Sequence, residues 1–219
     1  MFTGLLGGSF NPAHGGHRRI TRFTIDALGL DEAWWLVSPG NPLKPSDDMG
    51  SLKARLRSAE RQSRRARIIP TAIELELDTR YTAETLKKLK RRYPKRNFVW
   101  LMGSDNLAQF HLWKDWRTIA RTMPIAVIAR PGYNQPAVTS PAMAWLRRYT
   151  VSVPVFRKMG RQRLGSAPAL VFLRFDPDPR SATAIRRANA NWAQEFETPN
   201  ASAPLRDRLT FRQILEWDD

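Results

Sequence analysis

The sequence predicts an α/β fold built on a doubly wound, mostly parallel sheet, with a C-terminal helical part. Three observations carry this. Apolar runs that read as strands alternate with segments of helical apolar spacing along the 219 residues, the pattern of strands joined through crossover helices. The first run, Phe2 to Leu6, leads directly into a Gly-rich turn and then a helix. A later run, Asn97 to Met102, ends in Gly103-Ser104-Asp105, and ligands in such sheets bind beyond the carboxyl ends of the strands.

The first helix is marked by Ile20, Phe23, Ala27 and Leu28 at helical spacing, and Gly29 provides its stop. Glu32 to Ser38, with Trp34, Trp35, Leu36 and Val37, reads as the second strand. A loop punctuated by Pro39, Pro42 and Pro45 follows, then a basic helix with Leu52, Leu56 and Ala59 on its apolar side. Arg67 to Ile69 begins a short third strand, and Thr82 to Tyr93 is the next helix. After the strand at Asn97, Leu107 to Arg121 is helical in pieces, and Ile125 to Ala129 is a strand closed by Arg130-Pro131-Gly132. Ser140-Pro141 starts a helix with a cap and a proline at its first position. Ala169 to Phe175 is a late strand, Ser181 opens another helix, and Pro204 to Trp217 suggests a terminal one. The expected organisation is one domain over residues 1–219, its helical part spanning about 181–219.

The chain has no Cys, which rules out disulfides and thiolate metal sites. The first residues read as a strand and not as a leader, and no run is long enough to span a bilayer. A soluble, cytoplasmic protein without membrane partners is expected. The formal charge of +16 is concentrated in two segments. Lys53 to Arg67 holds seven basic residues against Glu60 alone, and Lys87 to Arg96 holds seven with no acid. Solvated helix faces account for both runs. A nucleic-acid footprint is a second reading, although neither run carries an interleaved aromatic platform, so no specific nucleic-acid partner is expected. A field that concentrates polyanionic small substrates is a third. The charge by itself fits all three.

Gly7-Gly8-Ser9-Phe10-Asn11-Pro12-Ala13-His14-Gly15-Gly16-His17 is the most informative stretch. A strand, a Gly-rich turn and a helix entrance make an anion site, because free backbone N–H groups and the helix dipole both favour phosphate. His14 and His17 are three apart, so both can face one bound group. The stretch contains neither G-x-x-x-x-G-K-[ST] nor G-x-G-x-x-G, the commoner phosphate loops. Two structural histidines capping the helix are the bland alternative. A resident metal is not expected, since two His at this spacing need further ligands and the remaining His is His111. The second stretch is Arg180-Ser181-Ala182-Thr183-Ala184-Ile185-Arg186. Ser181 is a natural N-cap, and the first-turn N–H groups after it have no partner within the helix.

His14-Gly15-Gly16-His17 matches the H-x-G-H signature of the nucleotidyltransferase superfamily. Over nearly its whole length the chain resembles the bacterial nicotinate-nucleotide adenylyltransferases. Ser181 to Arg186 resembles their second signature, Ser-x-Thr-x-x-Arg. Tyr81-Thr82-Ala83-Glu84-Thr85-Leu86, Gly103 to Leu107, Trp113 with Lys114, and Arg130 to Tyr133 resemble the nicotinate-nucleotide branch. Arg180 departs from the family, which usually has an apolar residue there, and Ala182 often has Ser as its counterpart.

The resemblance implies a Rossmann-like nucleotidyltransferase fold and adenylyl transfer from ATP to nicotinate mononucleotide in NAD biosynthesis. It implies His14, His17 and Arg186 as catalytic residues. Gly7, Gly8, Ser9, Phe10, Lys44, Asp105, Ser181 and Thr183 would bind ATP, and Thr82, Trp113 and Lys114 the mononucleotide. Mg²⁺ would accompany ATP and need few protein ligands. A sister adenylyltransferase using nicotinamide mononucleotide or phosphopantetheine, and a non-catalytic nucleic-acid-binding protein on the same fold, are the alternatives.

Overall fold

The computed structural model describes residues 1–40, 49–129, 134–161, 167–175, 180–197 and 204–214. Its strands are β1 (Phe2–Gly8), β2 (Glu32–Val37), β3 (Ile68–Thr71), β4 (Asn97–Gly103), β5 (Ile125–Ile128) and β6 (Leu170–Leu173). Its helices are α1 (Gly15–Leu28), α2 (Leu52–Ser63), α3 (Ile73–Glu76), α4 (Thr82–Arg92), α5 (Ser104–Gln109), α6 (Trp116–Thr122), α7 (Asn134–Val138), α8 (Pro141–Leu146), α9 (Val153–Arg161), α10 (Ala182–Ala188) and α11 (Gln194–Glu197). The strands form one sheet in the order β3-β2-β1-β4-β5-β6, the doubly wound order that reverses beside β1. β1 runs parallel to β4, with Phe2 opposite Asn97 and Leu6 opposite Leu101. β4–β5 and β5–β6 are parallel as well. Strands covered on both faces read as continuous apolar runs, which is why Trp34, Trp35, Leu36 and Val37 are all buried. α3, α7 and α11 are single turns or little more, too short to leave a periodic pattern in the sequence.

The chain divides into two compact units. The first comprises Met1–Leu6, Ile20–Ala33 and Tyr81–Pro177. Its core is Leu5, Ile25, Leu28, Val99, Leu101, Ile125, Val127 and Leu170. Gly29 ends α1 at φ 66°, a left-handed conformation that glycine adopts at little cost. Asp31 then closes the turn into β2: its carboxylate accepts the Phe2 N–H at 2.7 Å, and its own N–H donates to the Phe2 carbonyl at 2.9 Å.

The second unit comprises Gly7–Arg19, Trp34–Arg80 and Asp178–Asp219. Here the expected terminal helix from Pro204 to Trp217 is corrected: residues 204–214 contain no helix. Arg206 and Gln213 form an antiparallel bridge instead. The cause is Asp207, which is only 2% exposed. Its carboxylate accepts the N–H groups of Leu209 (2.9 Å) and Thr210 (3.0 Å), a local turn that competes with helix. The same carboxylate accepts the Thr71 hydroxyl (2.9 Å) and the Ala72 N–H (2.6 Å) at the end of β3. Hydrogen bonds to a charged acceptor contribute more than neutral ones, so this buried carboxylate ties the segment to the end of β3.

Asp207→Ala should lower the unfolding free energy by about 3 kcal/mol, the scale of stranding several buried donors. A denaturant titration measures this, and an unchanged midpoint would show that the tail is held elsewhere.

Candidate active site

In the second unit, β1 ends at Gly8, whose carbonyl accepts the Ser38 N–H at 3.1 Å. The chain then turns through Phe10 at φ 47°, an unfavourable conformation for a bulky residue. Packing holds it there. The Phe10 ring stacks on Trp35 with centroids 5.0 Å apart and lies 5.0 Å from the His17 ring. Both rings are buried, so the opening turn is anchored by an aromatic pair.

His14 and His17 lie 3.9 Å apart, centroid to centroid. Nδ1 of His14 accepts the Gly16 N–H at 3.1 Å, and Nδ1 of His17 accepts the His14 N–H at 3.2 Å. These bonds assign the ring proton of each neutral imidazole to Nε2. The two histidines thus cap the entrance of α1 through Nδ1, which places the ring N–H of each at Nε2. The structural role, one of the two readings the sequence allows, is present in these bonds.

Ser181 is the N-cap of α10, its hydroxyl accepting the Ala184 N–H at 3.1 Å. Thr183 is exposed on the first turn. Arg186 reaches back across 175 residues of chain and donates from Nη1 to the Asn11 carbonyl at 2.7 Å. The two signature stretches therefore meet at the turn that carries the histidines. Lys44 lies outside the described residues.

Arg55 belongs to this assembly and was hidden in a basic run whose simplest reading is a solvated face. It is 1% exposed. Its guanidinium donates to four carbonyls: Ser9 (2.9 Å), Ser38 (2.6 Å), Pro39 (3.1 Å) and Gly50 (2.9 Å). Burial pushes Arg55 down to about 10, so it remains cationic at neutral pH. A signal for it existed: residue 55 falls with Leu52, Leu56 and Ala59 on one stripe at i, i+3, i+4 and i+7. Around it, the Ser58 hydroxyl accepts the Ala13 N–H at 3.1 Å and the Asn11 side-chain oxygen accepts the Gly50 N–H at 3.0 Å.

The first unit gathers the other predicted residues. Thr82 is the first residue of α4, whose N-cap Tyr81 makes no side-chain cap. The Tyr81 carbonyl takes the Glu84 and Thr85 N–H groups, and no intrahelical carbonyl reaches those of Thr82 and Ala83. Lys114 comes to the same helix end: its ammonium lies 4.0 Å from the Tyr81 ring centroid and 3.8 Å from a Glu84 carboxylate oxygen. Trp113 is held edge-on to Phe110 at 5.5 Å and to Trp100 at 6.3 Å. Asp105 stands in the first turn of α5, directly after the carboxyl end of β4. Arg130 to Tyr133 lie outside the described residues. Among the described residues, no group of three or more His, Asp or Glu side chains is disposed to hold a metal ion, and no helix is long and apolar enough to cross a membrane.

A doubly wound sheet whose first strand opens into a glycine turn and two helix-capping histidines defines a nucleotide-transferring α/β protein. The chain matches the cytidylyltransferase-like family over residues 5–188. A relative from Erythrobacter litoralis, named "Probable nicotinate-nucleotide adenylyltransferase", is 64% identical over 97% of this chain and 94% of its own length. One of the same name from Cereibacter sphaeroides is 49% identical over 88% of this chain and 99% of its own. The chain belongs to this cytidylyltransferase-like family, and within it to the nicotinate-nucleotide adenylyltransferases. The solved structure of Plasmodium falciparum nicotinic acid mononucleotide adenylyltransferase complexed with NaAD has the same fold, with a TM-score of 0.61 at 15% identity, covering 85% of this chain and 82% of that one.

Arg55→Met keeps length and apolar bulk but removes every donor. It should lower the unfolding free energy by about 3 kcal/mol or more, because four carbonyls lose a charged partner. Arg55→Lys should recover only part of this, since one ammonium cannot reproduce the fork. Thermal or denaturant unfolding of both variants measures the difference, and equal stability of the two would refute the fork as the source.

Proposed function

We propose that this chain carries out the reaction for which its relatives are named, transferring the adenylyl group of ATP to nicotinate mononucleotide to give nicotinate adenine dinucleotide and pyrophosphate. The observation that carries the reading is the pair of histidines capping the entrance of α1 after the glycine turn, in a chain 64% identical over nearly its full length to a relative of that name. A phosphate oxygen of the mononucleotide attacks the α-phosphorus of ATP. The bond from that phosphorus to the bridging oxygen breaks, and the electron pair leaves with pyrophosphate. The attacking oxygen is already ionised, so no general base and no covalent intermediate are needed. The protein's task is alignment and stabilisation of charge on the phosphoryl oxygens.

His17 donates to the α-phosphate and His14 beside it to the neighbouring oxygens. Gly7, Gly8, Ser9 and Phe10 shape the turn along the nucleotide, and Arg186, with Ser181 and Thr183, holds the β- and γ-phosphates. Asp105 binds a ribose hydroxyl. Mg²⁺ bound with ATP would supply charge neutralisation along the triphosphate. The protein's donor set of imidazole and guanidinium N–H groups suits the phosphate oxygens rather than the metal. A small soluble enzyme using ATP and a mononucleotide, with no Cys to protect, suits a reducing cytoplasm.

Thr82, Trp113 and Lys114 receive the nicotinate. Trp113 stacks on the ring, and its carboxylate meets main-chain N–H groups of Thr82 and Lys114. The uncapped start of α4 favours an anion through both free donors and the dipole. A carboxamide has no charge and turns an NH₂ toward a donor. Losses of about 1.5–3 kcal/mol for each charge-assisted bond make a large preference.

His17→Ala should lower kcat by roughly 10²–10³-fold, the effect of removing one preorganised donor, with little change in far-UV circular dichroism. Near-normal turnover would sink the assignment. The ratio of kcat/KM for nicotinate over nicotinamide mononucleotide should reach at least roughly 10², and Trp113→Ala should raise KM for the mononucleotide far more than for ATP. Equal efficiency with acid and amide would show that the Thr82 end of α4 is not the nicotinate pocket.

A further inference from the structure

The amino ends of β1, β4 and β5 surround an open cavity of about 180 Å³ within the first unit. Phe2 begins β1, Asn97 and Phe98 begin β4, and Met123 and Pro124 run into β5. Asp105 follows the other end of β4, about 20 Å away at the rise of an extended strand. The cavity therefore lies apart from the carboxyl end of β4, where the adenylyl-transfer reading places Asp105.

Its walls are apolar and fixed. Phe2, Phe98, Met123 and Phe156 line it and are all buried, and the Phe2 and Phe156 ring centroids are 6.4 Å apart. Gly160 lets α9 lie against the Phe2 ring, since a Cβ there would run into that ring. Asn97 Nδ2 donates to the Gly160 carbonyl at 3.0 Å. The cavity is also cationic. Lys90 from α4, Arg96 from the turn before β4 and Arg121 from α6 line it, and no Asp or Glu does. Two of these cations have structural partners. Arg96 pairs with Glu32 at 2.5 Å, and Lys90 donates to the Thr122 carbonyl at 3.1 Å, a cation at the C-terminal end of α6. Arg121 is different. Among the described residues it makes no hydrogen bond or ion pair, and its guanidinium carbon lies 5.5 Å from the Trp145 ring centroid. The surrounding sequence offers little counter-charge, with eleven basic residues from Asn106 to Phe175 against Asp115 alone.

Apolar walls with exposed cations complement a molecule that has an apolar body and one anionic end. Size narrows the class. An apolar cavity of about 150 Å³ holds benzene, so this one takes a single six-membered ring with a carboxylate. The phenyl walls and the thioethers of Met123 and Met159 favour an aromatic ring. We propose that this cavity is a binding site for a small aromatic carboxylate, its ring among Phe2, Phe98 and Phe156 and its carboxylate against Arg121 and Lys90. The site does not depend on the adenylyl-transfer reading, and its failure would leave that reading untouched.

Benzoate is the probe. NMR of the full chain with isotope-labelled methionine methyl groups reports where it binds, because Met123 and Met159 line the cavity while Met102 and Met143 do not. Benzoate should shift the Met123 and Met159 resonances saturably with a Kd of about 1 mM, the range for a ligand of this size. Benzamide, the neutral isostere, should bind at least roughly 10-fold more weakly, and inorganic phosphate should move neither methyl. Arg121→Gln removes the charge at an exposed position. It should weaken benzoate roughly 10-fold while changing benzamide, kcat and melting temperature little. Met159→Trp fills the cavity and should abolish binding of both, with Met123 as the reporter. Shifts confined to other methionines, as from benzoate in the proposed nicotinate pocket beside Trp113, overturn the proposal. Undiminished benzoate binding in Arg121→Gln overturns it too, as does saturation of the same methyls by phosphate, which marks a general anion site.

Discussion

The buried guanidinium of Arg55 ties together the pieces from which the histidine-bearing unit is made. Ser9 lies in the opening turn, Ser38 and Pro39 follow β2, and Gly50 precedes α2; all four carbonyls point at one side chain. All four carbonyls belong to residues outside the strands and helices, and a buried carbonyl without a donor is costly. A planar group with five N–H donors satisfies four of them from a single position. No carboxylate is among the acceptors it reaches. Its charge is instead spread over carbonyl dipoles, which is why burial depresses its proton affinity without a countering ion pair.

The later chain is attached to the same frame by similar means. Arg57, two residues after Arg55 on α2, donates to the Phe196 carbonyl at 2.6 Å, and the Ser51 hydroxyl donates to Glu197 at 2.7 Å. Trp192 is buried against Gly50, where a Cβ would approach the ring to 2.7 Å. Basic residues of α2 that look interchangeable in the sequence therefore have different work. Arg55 holds loops, Arg57 holds the segment after α10, and Arg61 pairs with Glu195 at the surface, where an exposed ion pair contributes little. Part of the +16 charge is therefore structural.

On the proposed reading, the histidine pair serves two demands. A helix start has N–H groups that need acceptors, and a phosphate needs donors. Imidazole has one edge of each kind in its neutral form. Because Nδ1 of each ring is occupied by a backbone N–H, ring orientation and proton position are set before any ligand arrives, and the donors need no reorganisation. The buried Phe10–Trp35 stack beside His17 keeps that turn in a backbone conformation it would otherwise leave.

What the sequence by itself determined is the part governed by neighbours along the chain. Alternating strand and helix patterns, the stop at Gly29, the caps at Ser140 and Ser181, and the glycine turn leading to His14 and His17 all follow from local backbone physics, and the structure has each of them. Tertiary structure decided what charged side chains do. Residue type predicts exposure for Arg and Asp, yet Arg55 and Asp207 are among the most buried residues. Their acceptors and donors lie elsewhere in the chain, and that pairing is what makes burial tolerable. Asp207 turned an expected helix into a bridge-and-turn by capturing backbone N–H groups from its own loop and from the end of β3. The contact of Gly15 with Arg180 is of the same kind, a fit between a missing Cβ and a distant side chain that no periodicity along the sequence encodes.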